Sequence, residues 1–246
     1  MYDTILSNFS FRMSTESRKE GEIVKYRHEL KQEISHADLL VLRQRLKAVM
    51  QKDPYAIDGK YKIRSLYFDN PNDKALREKI DGVNKREKFR IRYYNDNTSL
   101  IHLEKKSKIN GLCMKESARL TKEQALRIAN GEYDWLIDCD SPLLKELYLK
   151  MKQTGLRPKT IVDYIREPFV FAPGNVRVTL DYNIRTGLSS TDFLNPSCVT
   201  VPVANAPIIL EIKWDAYLPD IIKDAVQLNS GRIGAFSKYA ASRMYD

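Results

Sequence analysis

Read in steps of two, much of this chain separates into an oily and a charged series, and in an extended strand those series face opposite sides. Over 23–33, Val24, Tyr26 and Leu30 alternate with Lys25, Arg27, Glu29, Lys31 and Glu33. Over 86–95, Phe89, Ile91 and Tyr93 alternate with Lys88, Arg90 and Arg92. Over 99–107, Ile101 and Leu103 oppose His102, Glu104, Lys106 and Lys108, the last just beyond that run. Over 111–120, Leu112, Met114, Ala118 and Leu120 oppose Lys115, Ser117 and Arg119, with Glu116 out of step. The pattern returns at 175–185, where Val176, Val178 and Leu180 oppose Arg177, Thr179 and Asp181. In 206–214, Leu210, Ile212 and Trp214 oppose Glu211 and Lys213. Two further runs, 61–68 and 159–171, bring the expected strands to eight.

Between the strands the period changes to that of a helix. Ser35 or His36 opens one with Leu39, Leu40, Leu42, Leu46 and Val49 on one face. A short helix follows Pro71, Thr121 opens one that runs to Ala129, and Pro142 sits in the first turn of one that runs to Thr154. Two more are expected at 218–229 and from Phe236. The Asn95-Asp96-Asn97 and Asn110-Gly111 turns join three strands as successive hairpins, which makes the sheet antiparallel. The fold class is therefore α+β, expected as a closed eight-stranded antiparallel barrel with helices outside, because closure removes exposed edges. Residues 1–22 read as a flexible polar arm and 23–246 as one domain.

Amphipathic helices need an apolar surface to cover, and the oily strand faces supply it. The cationic faces then point into the bore. Like charges on neighbouring strands repel, a cost that a bound polyanion offsets. With 41 Lys and Arg against 32 Asp and Glu, a formal charge of +9, the partner is expected to be anionic.

Other classes find little support. No apolar run reaches the roughly 20 residues of a membrane span, and no signal segment opens the chain, so a cytoplasmic location is expected, with a membrane partner left open. Cys113, Cys139 and Cys198 lack metal-site spacing. No GxxxxGK[ST], GxSxG or HExxH motif occurs, and His28, His36 and His102 are too dispersed for a triad. A nucleic-acid module would expose aromatics for base stacking. Here Phe89, Tyr93 and Trp214 fall on the oily face, and no nucleic-acid partner is expected.

A set of short motifs carries a resemblance. Arg27-His28-Glu29-Leu30-Lys31 resembles the opening strand of the CYTH, or triphosphate tunnel metalloenzyme, superfamily. Ser65-Leu66-Tyr67-Phe68-Asp69, Arg90-Ile91-Arg92, His102-Leu103-Glu104-Lys105-Lys106, Lys115-Glu116-Ser117-Ala118-Arg119, Tyr164-Ile165-Arg166, Glu211-Ile212-Lys213 and Ser237-Lys238-Tyr239 resemble, in order, the motifs of VTC (vacuolar transporter chaperone) polyphosphate polymerase domains. The resemblance covers about 23–243. It implies an eight-stranded tunnel, a divalent Mn²⁺ or Mg²⁺, and transfer of the terminal phosphoryl of ATP onto polyphosphate. Matching motif positions implies catalytic roles for Lys31, Arg90, Arg92, Lys238 and Tyr164. It implies phosphate contacts for Lys106, Lys115, Arg119, Arg166, Arg177, Lys213 and Arg27. Glu211 is the first metal candidate, with Glu29, Glu104 and Asp181 behind it and equally able to act as counterions. Arg27 stands where many superfamily members carry the first Glu of Glu-x-Glu-x-Lys, a departure that suits the polymerase branch over a two-metal triphosphatase. The extra N-terminal helical domain and membrane segments of some relatives are not visible. The rival readings are a triphosphatase of the same fold and a non-catalytic binder of inositol phosphates or nucleic acid.

Overall fold

The alternating runs do form strands, and all the long ones lie in one antiparallel sheet of the computed structural model, which describes residues 18–19, 22–23, 27–110, 112–228, 232–234 and 236–244. They are β1 (His28–Ile34), β2 (Tyr61–Asp69), β3 (Arg86–Tyr94), β4 (Asn97–Ile109), β5 (Leu112–Leu120), β6 (Arg157–Phe171), β7 (Val176–Thr186) and β8 (Ile208–Trp214). Among the described residues six α-helices accompany them: α1 (His36–Val49), α2 (Lys74–Ile80), α3 (Lys122–Ala129), α4 (Pro142–Thr154), α5 (Asp220–Val226) and α6 (Lys238–Ser242). The expected arm falls largely outside the described residues, as do Val24, Lys25 and Tyr26.

Local chemistry explains the boundaries. Ser35 and Thr121 close capping boxes with Asp38 and Gln124, satisfying amides that the first helical turn leaves without partners. Asn95 and Asp96 take positive φ in the tight β3–β4 turn, a conformation that short polar side chains tolerate. One expectation on α1 changes: Leu39, Leu42 and Leu46 are buried, but Leu40 is 58% exposed and turns away from the sheet.

Sheet order is β1-β8-β7-β6-β2-β3-β4-β5, so the first strand pairs with the last. The expected closed barrel is corrected here. Among the described residues β1 and β5, the ends of that order, meet at a single bridge between Arg27 and Cys113, and the sheet is an open half-barrel. The physical reason lies on the free edge of β1. A two-residue strand, Arg232–Ile233, pairs there with Glu33 and Gln32, and the amide of Gly234 donates to the carbonyl of Lys31. That end of the edge is already satisfied, and β5 cannot zip along its full length.

The oily faces pack outward under the helices, as the pattern requires. α3 and α4 cover β2 to β5 through Leu66, Phe89, Ile91, Leu103, Ile128 and Leu147. Against β1, β6, β7 and β8, α1 and α5 bury Leu42, Leu46, Val178, Leu210, Ile212 and Ile222. Glu116, out of step in its strand, faces this outer side, where Lys105 lies 3.3 Å from it and 2.6 Å from Glu146 of α4. A third apolar cluster differs from expectation because it lies inside the bore. Tyr61, Ile63, Tyr67, Val162, Tyr164, Ile184 and Tyr239 fill one end, so only part of the interior is cationic.

Candidate functional site

Pleat geometry aims charged side chains of seven strands at a shared cavity of about 390 Å³. Eleven lysine and arginine side chains and three glutamates line it among the described residues, a strong excess of positive charge in an enclosed space. All the residues singled out above line this cavity except Arg119 and Asp181. Arg119 lies beyond the wall and donates to the carbonyl of Ser99 at 3.3 Å. Asp181 is fully buried just behind the wall.

The β1–β8 register builds the centre. Lys31 stands opposite Glu211 and Glu29 opposite Lys213, so each carboxylate meets a lysine across the ladder. Lys31 Nζ lies 2.9 Å from Glu29 and 3.2 Å from Glu211, while Lys213 Nζ lies 3.6 Å from Glu29 and 3.3 Å from Glu211. Lys106 reaches Glu29 at 2.7 Å, and Arg166 reaches Glu211 at 3.2 Å. Behind Glu211, Arg166 donates two 2.7 Å hydrogen bonds to Asp181, and Lys238 Nζ lies 2.6 Å from the same carboxylate.

β3 and β4 supply a second cluster. Glu104 is gripped by Arg90 at 2.6 Å and Lys115 at 3.2 Å, with Arg92 at 3.9 Å. Arg92 donates to Ser65 Oγ at 2.8 Å and Tyr164 Oη at 3.0 Å, which fixes the guanidinium plane. Lys238 sits 4.6 Å over the Tyr164 ring, a cation–π contact. Arg27 pairs with Asp215 at 2.8 Å and donates to the carbonyl of Asn175, while Arg177 pairs with Asp53 at 2.8 Å.

Electrostatics follow from this packing. Burial alone would raise the Glu29 carboxyl, and Glu211 adds to that, yet Lys31, Lys106 and Lys213 outweigh both and hold it at about 2. Burial also works against Glu211, but Lys213, Lys31, Arg166 and Lys106 hold it well below the usual carboxylate range. Against burial again, Arg90, Arg92 and Lys115 keep the Glu104 carboxyl low. Asp181 is held down at about 2 by Arg166 and Lys238 over the opposing effect of burial. Lys213 is pushed down to about 8, chiefly by burial, with Glu211 and Glu29 resisting.

Sequence reasoning did not single out Tyr67, Lys88 and Tyr94, which also line the cavity. Lys88 was legible, since it stands two residues before Arg90 on the same face. The tyrosines were not, because alternation alone reads an aromatic strand residue as core.

The donor chemistry suits a hard divalent ion only in part. Glu29 and Glu211 offer two neighbouring carboxylates, and Thr179, opposite Glu211 in the register, has a buried Oγ1 without a hydrogen-bond partner. Glu104 and Asp181 are committed to arginine and lysine. Among the described residues no three His, Cys, Asp or Glu side chains gather as a metal cage. Two carboxylates completed by water and phosphate oxygens are the way Mg²⁺ is usually held beside nucleotides.

An antiparallel sheet curled around a bore of clamped carboxylates and converging cations makes a cationic half-barrel suited to an anionic ligand. The model of the VTC domain matches residues 26–245, and the chain belongs to that family. No curated protein matches it. Among solved structures, the chain is similar to HpAC1 from Hippeastrum, a candidate adenylyl cyclase with a dominant triphosphatase activity. The identity is 14% and the TM-score 0.52, over 88% of this chain and 94% of that one. A candidate adenylate cyclase from Bacillus halodurans is 10% identical with a TM-score of 0.48, over 77% of this chain and 80% of that one. Among the described residues no helix is long and apolar enough to cross a membrane.

Proposed function

We propose that the chain is a polyphosphate polymerase that moves the terminal phosphoryl of ATP onto a growing polyphosphate chain inside the bore, in the cytoplasm. The observation that carries this reading is the convergence of Lys31, Arg90, Arg92, Lys106, Arg166 and Lys213 on one enclosed cavity. Phosphoryl transfer needs positioning and charge stabilisation more than covalent chemistry from the protein. A terminal oxygen of the chain attacks the γ-phosphorus, the bond to the β–γ bridging oxygen breaks, and ADP leaves.

Arg90, Arg92 and Arg166 are suited to fork across pairs of phosphate oxygens, while the lysines act as point charges. Tyr164 fixes Arg92 and supports Lys238, and in this reading all three act on the reacting phosphoryl. Lys115, Arg177 and Arg27 extend the phosphate path towards solvent. Glu211 and Glu29 are the residues that would hold Mn²⁺ or Mg²⁺, which when bound neutralises charge on the phosphates. As phosphate enters, Lys31 and Lys213 exchange carboxylate oxygens for phosphate oxygens.

A second reading, hydrolysis of a triphosphate, draws on the activity ascribed to HpAC1, whose fold this chain shares. The test is incubation with ATP and Mn²⁺ followed by a urea gel. A ladder of long polyphosphate supports the polymerase, orthophosphate without a ladder supports the triphosphatase, and binding without either product supports a non-catalytic polyanion module.

A further inference from the structure

One cation in the bore lacks the counterion that its neighbours have. Lys88 lies on the cavity wall, and among the described residues it forms no ion pair with a carboxylate, whereas Lys31, Arg90, Lys106 and Lys213 each form at least one. Its Nζ sits 5.5 Å over the ring of Tyr67, whose hydroxyl accepts a 3.0 Å hydrogen bond from Arg90.

Lys88 also stands where the first cavity meets a second, of about 450 Å³, and both share Glu29, Lys31 and Lys106 as walls. A phosphate chain running from one to the other passes this side chain. We propose that Lys88 and Tyr67 form a substrate-linked proton acceptor at this junction. Entry of a phosphate chain adds one proton from solvent to the pair, and the Lys88 ammonium and Tyr67 hydroxyl then both donate to phosphate oxygens. This rests on the phosphate-chain reading above.

The surroundings explain why the pair is short of a proton when the bore holds no anion. Lys106 faces Lys88 across the ladder, Lys31 approaches from β1, Arg90 stands two residues along, and Lys79 of α2 lines the second cavity. The carboxylates within reach are already engaged. Glu29 is held by Lys31 and Lys106, Glu104 by Arg90 and Lys115, and Asp69 accepts from Tyr239 and from the amides of Ala75 and Leu76 at the start of α2.

Burial therefore pushes the Lys88 ammonium down. Tyr67 pulls the other way, but Lys106, Lys31 and Arg90 add to the fall, to about 7. For Tyr67, burial favours the neutral phenol, and Arg90, Lys88 and Arg92 overcome it, lowering the hydroxyl to about 6. A polyanion reverses the sign of the local field, raises both groups, and draws in a proton.

Isothermal titration with tripolyphosphate, without metal, in buffers of different ionisation enthalpy at about pH 6.5, midway between those two values so that the free pair holds about one of its two protons, tests this. The wild type should take up about one proton more per bound ligand than a Lys88→Arg, Tyr67→Phe double variant, whose guanidinium stays charged and whose ring cannot ionise. Lys88→Arg alone should retain affinity within about threefold, since its guanidinium supplies the same positive charge. Equal proton uptake by wild type and double variant overturns the proposal. Failure of the wild type to bind tripolyphosphate overturns the phosphate-chain reading itself, a distinguishable result.

Discussion

The hydroxyl of Tyr239 donates a 2.6 Å hydrogen bond to the carboxylate of Asp69, 170 positions away in the chain. This contact pins α6 inside the bore, with Tyr239 stacked on Tyr67 at 5.3 Å, and so places Lys238 against Asp181 and Tyr164. Tyr239→Phe removes the hydrogen bond while keeping the ring. We expect it to lower unfolding stability by about 1–2 kcal/mol, the usual worth of a bond to a charged acceptor, and to reduce turnover by loosening Lys238. Urea denaturation and the ATP assay read the two effects separately.

Glu211→Gln keeps the size of the side chain but removes the charge that Lys31, Lys213 and Arg166 surround. Metal-dependent turnover should disappear while circular dichroism stays that of the wild type. Full activity would take Glu211 out of the proposed metal site.

Arg119 and Arg166 belong to the same sequence-level group, but the structure separates them. Arg166→Ala should cut turnover by about a hundredfold or more, the scale for removing a charge-stabilising donor. Arg119→Ala should stay within about twofold, because that side chain engages Ser99 away from the cavity. Steady-state rates on the two variants check this.

Acid should dismantle the bore. Glu29 and Asp181 are held at about 2, below the ordinary carboxylate value of about 4. Their stabilisation is therefore complete above that ordinary value and is lost as pH falls through about 2. The urea midpoint should drop between about pH 5 and pH 2, and less so in a Glu29→Gln variant, which has one such carboxylate fewer.

Much of this was legible in the residues. Period-two alternation located the long strands, and Ser35, Thr121 and Pro142 marked helix starts at or beside their observed positions, because both signals depend on local geometry. Lys31, Arg90, Arg166 and Glu211 were legible as a charged face with matching motifs. Three features were not. The open seam depends on Arg232–Ile233 taking the edge of β1, a pairing set by tertiary position and not by pattern. The aromatic filling at one end comes from Tyr61, Ile63 and Tyr67, whose alternation with Lys62, Arg64 and Leu66 does not say which side is inside. Asp181 follows the inward series but is sequestered by Arg166, a contact that only packing reveals.

The pairing of β1 with β8 brings together segments as far apart as Arg27 and Asp215, 188 positions in sequence. Closing so long a loop costs entropy before any contact returns it. The hairpins from β2 to β5 can nucleate early, while the wall that carries Glu29 and Glu211 assembles last. On this entropic argument the charged wall of the cavity is expected to be the final part of the fold to mature.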